Sequence, residues 1–323
     1  KTRKVTDDAV YDLASVSKAT GTLPAVMKAY DDGLIRLNNS ISTYIPALRG
    51  SNKSDFTVEE LLYHQSGITP YIAFYQNARA DRSYMCDDGT SQCADTLQNT
   101  LPASNIRTSS ITPGWLSETL KPGYTTEVAR RMYVHDSFRD HIIKDIRNSR
   151  LGIRGKYTYS CINFILLKMA IENVTRQPMD RLLNTHFFSR LGASSTTYNP
   201  LHKMDTLRIV PTEDDRVMRH QLLRGYVHDE AALQGGVSGN AGLFSSADDL
   251  AKLLQLYLNG GSYGGEPYIS ALTCKMFTHS QSQTCRRGLG FDRPEKAPGK
   301  ASPCGRLAPA SVYGHTGFTG TCF

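Results

Sequence analysis

Apolar residues recur at Leu23, Val26, Met27 and Tyr30, spacings of three and four that predict an amphipathic helix with a core-facing stripe. The helix is expected from about Ser15 to Asp32, closed by Gly33, with Pro24 bending it. A second helix is expected over about Glu59 to His64, with Thr57 as its N-cap. Ile162 to Glu172 is apolar on almost every side, which predicts a helix buried all round and ending near Gln177-Pro178. Ser246-Ala247-Asp248-Asp249-Leu250 reads as the capped start of another helix, reaching about Leu258. Residues 71–150 break this rhythm. They are polar and rich in turn formers such as Asp87-Asp88-Gly89 and Lys121-Pro122-Gly123, and read as an insertion or a lid in which Tyr75, Trp115 and Tyr124 are candidate substrate contacts.

The composition fits a folded enzyme-sized unit. The chain has 323 residues, 40% hydrophobic and 21% charged, enough for one large α/β unit or two closely packed lobes. No apolar run approaches the length of a membrane-spanning helix, and no signal peptide precedes Lys1. The net charge of +7 comes from scattered basic residues. The loose cluster from Arg130 to Lys156 is interrupted by Asp136, Asp140 and Asp145 and reads as a solvated helical surface, with no nucleic-acid motif beside it. The seven cysteines are odd in number, so at least one is unpaired within the chain. A disulfide could close the Cys86–Cys93 loop and another the Cys274–Cys285 loop, as suits an oxidising compartment. No Cys-x-x-Cys or His-x-x-x-His spacing suggests a metal site, and no cofactor is implied.

The chemistry concentrates in Ser15-Val16-Ser17-Lys18. If Ser15 opens a helix, the i to i+3 spacing sets its hydroxyl and the Lys18 amine side by side over one turn. A serine hydroxyl is a weak nucleophile until a neighbouring base takes its proton, and a lysine can do so when burial or positive charge lowers its pKa. The helix N-terminus would favour the negative charge that develops in acyl transfer. A Ser-x-x-Lys tetrad means little alone, but Tyr159-Ser160-Cys161 and His315-Thr316-Gly317 follow it in order.

With these residues the chain resembles the serine β-lactamase, D-alanyl-D-alanine carboxypeptidase and esterase superfamily of penicillin-binding fold. The resemblance extends through Leu61-Leu62-Tyr63-His64-Gln65-Ser66-Gly67, Gly236-Val237-Ser238-Gly239-Asn240-Ala241-Gly242 and Gly314-His315-Thr316-Gly317-Phe318-Thr319-Gly320. His315, where other branches have Lys, suggests the class C-like group. The resemblance implies an α/β fold, with an antiparallel sheet flanked by helices beside a mainly helical lobe holding Tyr159. One strand would carry His315-Thr316-Gly317, and the site would lie in the groove between the lobes.

Residue by residue, the resemblance implies Ser15 as the acylated nucleophile, Lys18 as its proton-accepting neighbour and Tyr159 as a second base. His315 and Thr316 would border the cleft beside Gly317, and the N–H groups of Ser15 and Phe318 would form the oxyanion hole. One departure stands out: Cys161 occupies the place of the family's Asn, with Asn163 two residues on, and a thiol lacks the amide's paired donor and acceptor. Cys161 is read as a packing residue. His64 is read as scaffold bonded to backbone. The Val227-His228-Asp229-Glu230 and Gly235-Gly236 segments are likewise read as scaffold, with Glu230 as a subsidiary candidate for deacylation.

The resemblance further implies one serine hydrolase domain over 1–323, lacking its first and last strands, since the family would have laid down two strands before the nucleophile. It would be exported to the periplasm or envelope, act on an ester or a D-amino-acid peptide, cell-wall peptide included, and be fused to a glycoside hydrolase domain in the full protein. The alternative from another class is a non-catalytic module that binds cell-wall peptide or a protein partner.

Overall fold

The computed structural model describes residues 4–78, 115–295, 297–305 and 307–323. The helix expected from Ser15 is present, in two parts. Lys18–Thr22 is a wide π-type turn and Leu23–Asp31 is α-helical, with Pro24 at its start. The expected bend is thus a widened first turn. Proline has no N–H to donate and its ring crowds the carbonyl four residues back, so the strain is absorbed ahead of it. Gly33, at φ 72°, closes the helix by donating to Tyr30 O at 3.0 Å.

The Val58–Leu62 helix starts from Thr57, whose hydroxyl and the Glu60 carboxylate cap each other's backbone N–H reciprocally. The apolar run forms the Cys161–Thr175 helix, buried on most of its circumference and ended by Arg176 in left-handed conformation. It packs against the Leu23–Asp31, Ile41–Tyr44 and Val58–Leu62 helices, and the core lies between them. Ala247–Leu258 starts at Ser246, which accepts from Asp249 N as expected of an N-cap.

The sheet beside these helices has three short antiparallel strands. Leu243–Ser245 is central, flanked by Tyr11–Asp12 and Thr197–Tyr198, with Tyr11 opposite Ser245 and Thr197 opposite Phe244. Its Tyr11–Asp12 edge leads directly into Ser15. A second three-stranded sheet, Leu116–Ser117, Met132–Val134 and Thr126–Ala129, belongs to the polar segment, followed by the Phe138–Asn148 helix.

Three expectations need correction. His315-Thr316-Gly317 is not in a continuous strand: Thr316 pairs with Cys322 and Gly314 with Asp292 through isolated antiparallel bridges, because the turn at Gly317–Gly320 folds the chain back at once. Cys274 and Cys285 are free thiols. Cys274 lies on the buried face of the Ala271–His279 helix, its sulfur against Tyr257 O at 3.5 Å, and burial pushes its thiol up to about 11. The proposed Cys86–Cys93 pair lies outside the described residues. Trp115 and Tyr124 turn to their own neighbours, Trp115 against Phe138 and His141 and Tyr124 against His135, away from the Ser15 cavity. No helix among the described residues is long and apolar enough to cross a membrane.

Candidate active site

Strand Tyr11–Asp12 turns into the helix that carries Ser15 and Lys18 through Ala14, which adopts φ 47°. Such a conformation is costly for a residue with a Cβ and persists only when its surroundings fix it. Asp12 does so. Its buried carboxylate accepts from Ala14 N at 2.8 Å through Oδ1, and from His228 N and Nδ1 at 3.0 and 3.1 Å through Oδ2. Asp12, with Asp229 and Glu213, raises the His228 pKa against the lowering effect of its burial, which is the largest single influence.

Ser15 emerges half-buried at the next position and accepts from Lys18 Nζ at 2.7 Å. Lys18 is fully buried and also donates to Asn240 O at 2.9 Å and to Cys161 Sγ at 3.5 Å. Asn240 is itself fixed, donating to Asp229 Oδ1 and accepting from Ser238 Oγ, both at 2.8 Å. Burial works to lower the Lys18 pKa, as the spacing suggested, but the charges of Cys161, Tyr159 and Asp229 and a hydrogen bond to Tyr159 outweigh it and raise it. Lys18 is therefore an ammonium at neutral pH. The shift disfavours a neutral Lys18 amine, and the geometry makes Lys18 a donor to Ser15 Oγ.

Tyr159 lies beneath the Lys18 ammonium, whose nitrogen is 5.2 Å from its ring centroid. The ring stands 4.5 Å from that of His64 and 6.1 Å from that of His315. His64 is scaffold as expected: its Nδ1 accepts from Ser160 N at 3.1 Å and fixes the residue after Tyr159. Asn163 is buried beside it and accepts from Ser66 Oγ at 2.8 Å, so it does not replace the family's amide. His64 and His315 are both neutral, because burial first, and then the Arg287 and Lys18 charges, hold their pKa values well below the usual range. His315 shares its Nδ1 with Thr316 O at 2.8 Å.

A cavity of about 350 Å³ is lined by Ser15, Tyr159, His315, Thr316, Gly317 and Phe318, so the structure brings together the residues singled out in sequence, Lys18 lying just beneath Ser15. Gly317 is required by close approach. A Cβ there would lie 2.6 Å from Leu13 O and 2.5 Å from Thr321 Oγ1, so the segment can lie against the Leu13–Ser15 turn only as glycine. Thr319 and Thr321 hold the contact by donating to Asp12 O and Leu13 O at 2.7 and 3.0 Å. Phe318 is largely exposed and stacks on His228 at 5.3 Å.

The same cavity is lined by Tyr157, Arg286, Arg287 and Asp292, which sequence reasoning did not single out. Adjacent arginines before Gly288-Leu289-Gly290 were the one available signal. Arg287 is 1% exposed; its Nη1 pairs with Asp292 at 3.2 Å, while its buried Nε and Nη2 have no acceptor. Arg286 also pairs with Asp292 and lies over the Tyr157 ring. Glu230 is not at the cavity. Its carboxyl accepts from Tyr71 OH at 2.5 Å and Tyr75 N at 3.0 Å, and burial pushes it up to about 8.

The chain matches the family described as Beta-lactamase over residues 1–323. It is 32% identical over 340 residues to an Escherichia coli (strain K12) protein described as "Putative D-alanyl-D-alanine carboxypeptidase", covering 98% of this chain and 66% of that protein, just under two thirds of its length. In fold it is similar to a penicillin-binding protein homologue from Caulobacter crescentus, with TM-score 0.58, 16% identity, and coverage of 98% of this chain and 74% of that one. It is also similar in fold to a class C β-lactamase from Rhodobacter sphaeroides, with TM-score 0.55, 20% identity, and coverage of 90% and 64%. The chain belongs to the beta-lactamase family and has a β-lactamase/transpeptidase-like fold.

Proposed function

We propose that the protein is an acyl hydrolase of D-alanyl-D-alanine carboxypeptidase type, working through a Ser15 acyl-enzyme on peptides that end in a D-amino acid with a free carboxylate. The observation that carries the choice of peptide over ester is Arg287, a buried guanidinium lining the cavity that holds Ser15, whose Nε and Nη2 have no acceptor. Unmet donors on a buried cation are costly, and a carboxylate matches their fork geometry while a neutral ester does not. The carboxypeptidase description of the Escherichia coli relative supports the same reading.

In this mechanism Tyr159 takes the Ser15 proton while the Lys18 ammonium steadies the phenolate and donates to Oγ. The backbone N–H groups of Ser15 and Phe318 face the developing oxyanion. The proton then passes to the leaving amine, and Tyr159 activates the water that releases the acyl group. His315 and Thr316 form the wall along which the peptide lies. The reading places the protein in the bacterial envelope, where such peptides occur, alongside a companion glycoside hydrolase domain acting on the same polymer.

The test is intact-protein mass after incubation with a fluorophosphonate and, separately, with a penicillin. The parent is expected to gain one adduct with each, and Ser15→Ala none. A folded parent that labels with neither reagent would replace this reading with that of a non-catalytic peptide-binding module.

A further inference from the structure

Cys161 does more than pack at the start of a helix. Its sulfur lies 3.5 Å from Lys18 Nζ, the same nitrogen that donates to Ser15 Oγ at 2.7 Å and to Asn240 O at 2.9 Å. An ammonium has three N–H bonds, and these acceptors lie on different elements: the nucleophile turn, the Asn240 loop and the first residue of the Cys161–Thr175 helix. The cysteine is pinned. Its N–H donates to Pro70 O at 3.0 Å, and the preceding Ser160 is held through its N–H by His64 and through its hydroxyl by Thr69 O at 2.7 Å. Sulfur beside a buried cation at a helix N-terminus is in the surroundings where it accepts hydrogen bonds best.

We propose that Cys161 is a positioning residue whose sulfur holds the Lys18 ammonium against Ser15, so that capping this sulfur blocks acylation of Ser15. The proposal rests on Ser15 being the acylated nucleophile. Tyr159 and Asp229 also favour the Lys18 charge, which with the Arg287 charge helps to keep the nearby His64 and His315 neutral. What sets Cys161 apart is that small reagents can change its sulfur reversibly.

Methyl methanethiosulfonate is the probe. The Cys161 sulfur attacks the reagent's methylthio sulfur, a new S–S bond forms, methanesulfinate leaves with the electron pair, and the thiol proton goes to solvent. The mixed disulfide is bulkier and a poorer acceptor. Losing a hydrogen bond to a charged group corresponds to about tenfold or more in rate. Fluorophosphonate labelling of Ser15 should therefore slow by about tenfold or more, and dithiothreitol should restore it. In Cys161→Ser the reagent should leave labelling unchanged although the other cysteines remain, and the pH limb set by Lys18 should move to lower pH. Labelling at the untreated rate in protein shown by peptide mass to carry the Cys161 mixed disulfide would overturn the proposal, as would equal inhibition of Cys161→Ser.

A second arm is independent of acylation. Iodoacetamide should alkylate Cys161 several-fold more slowly in folded Lys18→Gln than in the parent, because the cation beside the sulfur is gone. Lys18→Met serves if Lys18→Gln melts early. An unchanged alkylation rate refutes the contact even where Ser15 never labels, which separates failure of this proposal from failure of the acyl-enzyme reading.

Discussion

Replacing Arg287 by Met removes the guanidinium while keeping an unbranched side chain of similar reach in a fully buried position. In the parent, Nε and Nη2 are buried without acceptors while Nη1 is paired with Asp292 at 3.2 Å, so on the proposed reading the cavity wall must admit a substrate carboxylate to these two nitrogens. A hydrogen bond to a charged group contributes about 1.5 to 3 kcal/mol. Taking the lower figure for each of two donors gives about 3 kcal/mol, which at about 1.4 kcal/mol per decade is a factor of about 10². The assay compares kcat/KM for an N-acylated D-Ala-D-Ala peptide with that for its C-terminal amide. Arg287→Met should lose about 10² on the carboxylate and less than about threefold on the amide, as expected when one charge-assisted contact is deleted. Thermal melts of both proteins establish that the variant is folded. Equal losses on both substrates would refute the reasoning, because Arg287 would then be supporting the cavity wall instead of reading a charge. A parent with no preference for the carboxylate would refute it as well, and would return the ester to consideration.

Two further predictions concern stability against pH. The His228 pKa is raised in the folded state, so its pairing with Asp12 stabilises fully below the ordinary histidine value near 6.5, and this stabilisation is lost as pH rises through the folded value. Asp12→Asn should melt earlier and flatten that decline, and a parent whose melting temperature is level from pH 6 to 9 would contradict the assignment. Glu230 is pushed up to about 8, chiefly by burial, so the folded state holds a proton that the unfolded chain releases near 4.5, and stability should fall between these values. Glu230→Gln, whose one carbonyl oxygen can accept from Tyr75 N while its amide donates to the Tyr71 hydroxyl, should equal the parent near pH 4 and exceed it above pH 8. A variant less stable than the parent at pH 9 would show that the ionised carboxylate is the favoured form.

What the chain reveals before folding depends on the range of the interaction. Ser15 and Lys18 were legible because residues three apart on one helical turn must be neighbours, and Thr57 with Glu60 and Ser246 with Asp249 were legible for the same local reason. Tyr159 and His315 came from resemblance alone, since nothing in their neighbouring residues says that they converge 6.1 Å apart, ring to ring. The failures lie where long-range packing decides. Cys274 and Cys285 are spaced to close a loop, but the helix around Cys274 turns its sulfur inward to Tyr257. Whether burial lowers the Lys18 pKa could not be read locally either: the burial is there, but the groups that outweigh it come from segments 141 to 211 residues further along the chain.

Arg287 was missed for a related reason: an arginine in a polar stretch reads as surface until the fold closes over it and leaves two of its donors without acceptors. Arg287 and Lys18 thus share one physical feature. Each is a charge taken out of water, and what remains unmatched around it is what the substrate, or the neighbouring thiol, must supply.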